Sequence, residues 1–220
     1  MILKVLIFFL PWFLRRRMLE HFFKYEIHPE ARIGFAWVFP KKLKMAAGAS
    51  IDHFTVAVHL DLVELHKDAM IGRGNWITGF PTNSNSSHFQ HQQDRQAALI
   101  LGESSSITKN HHLDCTNIIN IGRFSTIAGY NSQFLTHSID VSKNLQHSEP
   151  IVIGEYTFVG TNVVVLGGAV LPSYSVLGAK SLLNKAHLDE WTLYGGVPAK
   201  AVKKLPREFK YFIRSEGFVY

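Results

Sequence analysis

From residue 153 the chain repeats an aliphatic position every six residues: Ile153, Val159, Val165, Leu171, Leu177 and Leu183. The fifth place of the first five blocks is small or β-branched, held by Thr157, Val163, Ala169, Ser175 and Ser181. On an α-helix a step of six turns through about 600°, which scatters these aliphatics around the cylinder and leaves no single apolar face. Six is even, so strand alternation keeps them on one face, yet Gly and Pro recur in nearly every block and forbid long strands. The pattern predicts very short strands joined by turns, wound into coils whose inward aliphatics stack into one continuous core. Each of these side chains, fully buried, stabilises by roughly 1.5–3 kcal/mol, but only where a neighbouring coil covers it.

The same period runs earlier with slips of register. Leu101, Ile107 and Leu113 form one run, and after a two-residue slip Ile121 and Ile127 form another. Ile27 and Ile33, Met45 and Ile51, then Leu65, Ile71 and Ile77 extend it towards the N-terminus. Residues 80–98 and 133–150 are polar, aperiodic and long enough to leave the solenoid, and loops of that kind on a rigid scaffold usually carry function. After Leu183 the pattern ends, Pro198 and Pro206 punctuate the chain, and residues 207–214 read as a short amphipathic helix capping the last coil. The organisation is therefore an apolar and basic segment over 1–26, a solenoid over 27–204 and a helical cap over 205–220.

A chain of 220 residues with 46% hydrophobic composition buries a real core, which fits one main domain with short appendages. The single Cys115 excludes an intramolecular disulfide, suits a reducing compartment and, beside Asp114, reads as structural rather than nucleophilic. The absence of Cys/His pairs at finger spacing argues against structural zinc. The formal charge of +6 sits at the two ends, with Lys4, Arg15, Arg16, Arg17 and Lys24 near the start and six cations in 200–220. That placement fits a membrane surface or a phosphorylated cofactor, and not a domain that wraps nucleic acid. The segment from Met1 to Leu14 is strongly apolar, broken by Pro11 and followed by Arg15, Arg16 and Arg17. It is too short to span a bilayer, which takes roughly 20 apolar residues, and no signal-peptide cleavage site follows it. Two readings remain: an interfacial anchor on anionic lipid through residues 1–17, or a helix packed on its own protein or a neighbouring subunit.

The aliphatic-Gly-x-x-small-x repeat, the loop Thr136-His137-Ser138-Ile139-Asp140 before Ile151 to Gly154, and the ending Gly195-Gly196-Val197-Pro198-Ala199-Lys200 together resemble the hexapeptide-repeat acyltransferases. Within these the chain looks most like the galactoside, maltose and exopolysaccharide O-acetyltransferase branch. The match is strong from about 99 to 204, weaker from 27 to 79 and absent at the two ends. The resemblance implies a left-handed parallel β-helix and a homotrimer with active sites between neighbouring helices. It also implies acetyl-CoA as co-substrate, a sugar or glycan acceptor, and His137 as general base in a direct transfer with no covalent intermediate. By motif position it places the oxyanion-stabilising amide at Gly160 and Thr161, and cofactor contacts at Ala179, Asn184, Lys185 and Lys200. Phe158 stands where some sugar-acetylating relatives carry Trp, so a stacked-sugar contact does not carry over. With the anchor reading, the expected location is cytoplasmic, on the inner face of the bacterial membrane.

Twelve histidines offer further chemistry. An imidazole titrating near neutrality takes a proton from an alcohol without prior charging, which suits His137. His88, with His91 in the other long loop, is a candidate for the acceptor pocket or a solvated side chain. His111 occupies a fifth place, where small residues are usual, so it either fills the solenoid or marks a substrate site. Asp114 and Asn117 are candidate acceptor contacts, or turn residues satisfying their own backbone. Two rivals stand beside acetyl transfer. One is a carbonic-anhydrase-like metal site drawing on His88, His91, His111, His112 and His137, for which the basic ending has no use. The other is a membrane-tethered solenoid without catalysis.

Overall fold

The computed structural model describes residues 1–82, 84, 86–217 and 219; two positions of the expected loop 80–98, and two of the expected cap 205–220, lie outside the described residues. The chain is a left-handed parallel β-helix. Three sheets of seven, nine and seven strands form its faces, parallel throughout except for the last strand of the second, Lys200–Lys204, and each coil passes one strand of two to four residues through each face in turn. The six periodic aliphatics divide between the faces. Ile153 stacks between Ile121 and Leu171 on the first, Val159 between Ile127 and Leu177 on the second, and Val165 between Phe134 and Leu183 on the third. All are 1% exposed or less, and the fifth-place Thr157, Val163, Ala169, Ser175 and Ser181 are buried with them.

The slips have a geometric meaning. Ile153 stacks on Leu171, a coil of three blocks of six, whereas Leu101 stacks on Ile121, a coil longer by two residues placed in the turn after Leu113 to Cys115. Val38, Ala57 and Phe134 fill third-face positions that a search for Ile, Leu and Val at a fixed step of six passes over. The two long insertions leave at the same corner, between the third face and the first. One follows the strand Trp76–Thr78; the other follows Gln133–Leu135 and contains the antiparallel pair His137–Asp140 and Leu145–Ser148. The expected loop 133–150 therefore begins only after Leu135.

The N-terminal segment forms α1 (Ile2–Phe8) and α2 (Trp12–Phe23), interrupted at Pro11. They pack on the first coil, with Ile7 and Leu19 buried in the core and Trp12, Met18 and Phe23 against it. Arg15, expected as a lipid-facing cation, is instead a buried plug: it donates to the Gly34 carbonyl at 2.8 Å and the Ala36 carbonyl at 2.5 Å, and burial lowers its pKa to about 10. The outer surface of the two helices nevertheless leaves Ile2, Leu6, Phe9 and Phe13 exposed by 62–77%.

At the C-terminus the expected helix over 207–214 is a single 3-10 turn, Lys210–Phe212, and it does not cap the last coil. A hairpin of Thr192–Gly195 with Lys200–Lys204 occupies that end. The tail doubles back along the corner between the first and second faces, where Phe124, Tyr156, Tyr174 and Trp191 form a ladder of parallel rings with centroids 4.3–5.4 Å apart. Each of these residues has φ of 52–56°, a left-handed conformation that costs an L side chain and that the ring stacking offsets. Tyr211 donates to the Thr157 carbonyl at 2.7 Å, and the Arg214 guanidinium lies 3.9 Å from the centre of the Tyr211 ring. Phe158 packs edge-on against Tyr211, so it serves the tail.

Candidate active site

Asp114 ends the third-face strand His112–Asp114, where the chain turns into the two-residue insertion. One coil further on, the strand Gln133–Leu135 runs directly beside it, and His137 opens the hairpin two residues after Leu135. The parallel register thus carries His137 to Asp114, and its Nδ1 meets the Asp114 Oδ2 in a short hydrogen bond. Thr116 holds the other oxygen, its backbone N–H donating at 3.1 Å and its hydroxyl at 2.7 Å to Oδ1. Burial pushes the Asp114 carboxyl up, but the hydrogen bonds from His137 and Thr116 outweigh it and hold the group below its ordinary value. Asp114, named above as a candidate acceptor contact, is thus the anionic partner of His137. Its hydrogen bond is the largest influence raising the His137 pKa, against burial and the charge of Arg95, which lower it. With Asp114 ionised, Nδ1 carries the proton and Nε2 keeps its lone pair.

The dyad borders a cavity of about 390 Å³, lined among others by Phe80, His88, Phe89, His112 and Gln146. Phe89 presents its ring to His137 at 6.1 Å and 86°, and His88 lies against Phe80 at 5.8 Å. The two long insertions, far apart in sequence, thus form one site. Asn117 does not line the cavity; its amide donates to the Ser148 hydroxyl at 3.2 Å and so braces the hairpin that carries His137. Gln92 reaches across from the other insertion to accept from the Ser148 N–H at 3.0 Å and hydroxyl at 2.9 Å.

His111 belongs to the solenoid. It is 2% exposed, its Nδ1 accepts from the Ser132 N–H at 3.1 Å, and its Nε2 meets the Thr108 hydroxyl at 3.1 Å. It continues an internal polar ladder from Thr55 through Asn75, whose side-chain oxygen accepts the His111 N–H at 2.9 Å. Burial drops its pKa to about 4, so it stays neutral, with both ring nitrogens engaged. His112, the next residue, faces the cavity instead, as strand alternation requires. Among the described residues no group of three or more His, Cys, Asp or Glu is placed to hold a metal ion. Cys115 is fully buried, and burial with the Asp114 charge raises its pKa well above the ordinary value.

The expected cofactor residues lie elsewhere on the same chain. Gly160 and Thr161 follow the second-face strand Phe158–Val159, a different corner from that of His137. Gly160 sits against the next coil, where an added Cβ would come 2.7 Å from the Ala179 nitrogen, and its own N–H donates to the Leu177 carbonyl at 2.8 Å. Of the expected oxyanion pair, that leaves the Thr161 N–H. The Thr161 carbonyl takes the Lys180 N–H at 3.0 Å, so Thr161 and the Ala179 to Lys180 turn form one ridge. Asn184, Lys185 and Lys200 are exposed near the C-terminal end. None of these residues lines the cavity of His137.

No family model matches the chain. Its fold is that of the hexapeptide-repeat acyltransferases: the polysialic acid O-acetyltransferase OatWY superposes with a TM-score of 0.62 at 15% identity, covering 82% of this chain and 84% of the other. A mutant of AntD, an N-acyltransferase from Bacillus cereus, in complex with dTDP and coenzyme A, gives 0.51 at 14% identity, covering 88% and 90%. Among curated proteins the chain is 27% identical over 128 residues to WbbJ of Escherichia coli strain K12, a putative lipopolysaccharide biosynthesis O-acetyl transferase. That match spans 52% of this chain and 65% of the relative, less than two thirds of its length.

Proposed function

We propose that the protein moves an acetyl group from acetyl-CoA to a hydroxyl of a sugar or glycan precursor. One observation carries this reading: a histidine with a free Nε2, oriented by a buried carboxylate, faces a cavity built from both insertions. The relatives named as O-acetyltransferases support it. His137 Nε2 takes the acceptor O–H proton as the oxygen bonds to the thioester carbonyl carbon. Asp114 stabilises the imidazolium that forms, and the Thr161 N–H faces the developing oxyanion. As the C–S bond breaks, the proton on His137 passes to the leaving thiolate. Lys185 and Lys200 meet the cofactor phosphates, and the turns at Ala179 and Asn184 hold its pantetheine arm.

Because His137 and Thr161 stand at different corners of one chain, the complete site takes its second half from a neighbouring copy, in a homotrimer. Sedimentation of the purified protein tests this, and a catalytically active monomer would end it. The exposed Ile2, Leu6, Phe9 and Phe13, with the exposed Arg17 on the second helix, support peripheral contact with anionic lipid on the cytoplasmic face of the inner membrane. Flotation with phosphatidylglycerol vesicles, lost on combined Ile2→Ser, Leu6→Ser and Phe9→Ser substitution, tests it; unchanged flotation, or none in the native protein, opposes it. The acetyl reaction itself is tested by release of free CoA from acetyl-CoA with candidate glycans. Equal release by wild type and His137→Ala would overturn the proposed role of His137.

A further inference from the structure

Arg95 is the buried cation of the site, 7% exposed, at the end of the insertion that runs over residues 80–98. It makes contacts to three parts of the site at once. The same Nη1 donates to the Phe80 carbonyl at the start of the insertion and, at 2.6 Å, to the Thr116 carbonyl of the turn that clasps Asp114. Its guanidinium lies 4.6 Å from the centre of the Phe89 ring, the ring that stands edge-on to His137. Behind it, Asp61 closes the neck of the insertion: Oδ2 accepts from the Thr82 N–H at 2.9 Å and the Ala97 N–H at 3.1 Å, and Oδ1 from Lys41 Nζ at 2.7 Å. Charges alternate through the series Lys41, Asp61, Arg95, Asp114 and His137. A network of this kind has two consequences: it rigidifies the neck, and it sets the field at the dyad.

We propose that Arg95 is a positioning residue that couples the 80–98 insertion to the Asp114–His137 dyad, so that the wall of the acceptor cavity and the base move as one body. This rests on the reading of His137 as the base and of the cavity as the acceptor site. Lys cannot replace it fully, because an ammonium lacks the planar face that lies on Phe89. The groups facing His137 are Asp114, which raises its proton affinity, Arg95, which lowers it, and His88 and His112 across the cavity. Removing Arg95 therefore leaves Asp114 less opposed, and His137 holds its proton to higher pH.

The test uses the full chain with Arg95→Met and Arg95→Lys, read by NMR titration of the His137 ring and by steady-state kinetics. In Arg95→Met the His137 titration, and with it the acid limb of kcat/KM, moves to higher pH. Acceptor KM rises about 10- to 100-fold, the scale of a small misplacement, while the KM for acetyl-CoA stays unchanged. Arg95→Lys restores the titration and not the acceptor KM. An unshifted His137 titration in both variants, or KM values for acceptor and acetyl-CoA that rise together, would overturn the coupling. If Arg95→Met does not fold, Arg95→Lys decides alone through the KM split. The titration needs no turnover, so a shifted ring in a protein that never acetylates would separate failure of the function from failure of the coupling.

Discussion

The coils from Ile151 to Leu183 and the coils from Leu99 to Ser148 are built on the same plan and do different things. In the first region every block keeps its six residues, successive coils stack like on like, and the turns hold glycine, serine and stacked rings. In the second, two extra residues after Asp114 and the hairpin after Thr136 break the step, and there a carboxylate and an imidazole come together. A strict repeat buries the same positions in every coil and leaves no room for a unique constellation. The dyad forms where the period fails, and the flanking regular coils hold the departure in place.

The difference between the regions can be tested by substitution. His137→Ala in the irregular region should lower CoA release about 10²–10⁴-fold with thermal stability unchanged, as expected for loss of a general base. Asp114→Asn should lower it by about 10²-fold or more and move the acid limb of the pH profile downward. The sign follows from the dyad: Asp114 raises the His137 pKa above 6.5, and without that charge the imidazole is free of its proton at lower pH. In the regular region Leu177→Ala should cost about 2–5 kcal/mol in chemical denaturation, with kcat of the folded fraction retained. An inward-aliphatic variant there that abolished turnover without loss of stability would break the division.

The internal ladder gives a prediction of similar but smaller size. His111 has a folded pKa of about 4 against an ordinary 6.5, so the unfolded chain takes up a proton that the folded chain refuses. Stability should be full above pH 6.5 and decline as pH falls towards 4, by about 3 kcal/mol at the limit. His111→Asn should flatten that part of the stability curve measured by urea unfolding. The smallest effect is expected at the tail, where Tyr211→Phe removes the hydroxyl that donates to the Thr157 carbonyl and should cost about 0.5–1.5 kcal/mol in urea unfolding.

The spacing of six, with Gly and Pro recurring in nearly every block, was enough to read the solenoid, since a helix scatters that step and the breakers forbid the long strands that would also keep it on one side. His137 was singled out by the resemblance of its loop motif to the acyltransferases, which the spacing does not supply. Both were silent on partnership. Asp114 and His137 are 23 residues apart in the chain, and only the parallel register of adjacent coils makes them neighbours. His111 and His112 are equally polar and adjacent in sequence, yet strand alternation places one inside the coil among Asn75, Thr108 and Ser132 and turns the other towards the cavity. Arg95 is a lone cation in a polar stretch until the insertion folds back and buries it beside two carboxylates. A local period determines which side chains turn inward; which of the remaining ones meet depends on coil length and on where insertions re-enter, and those are properties of the stacked coils.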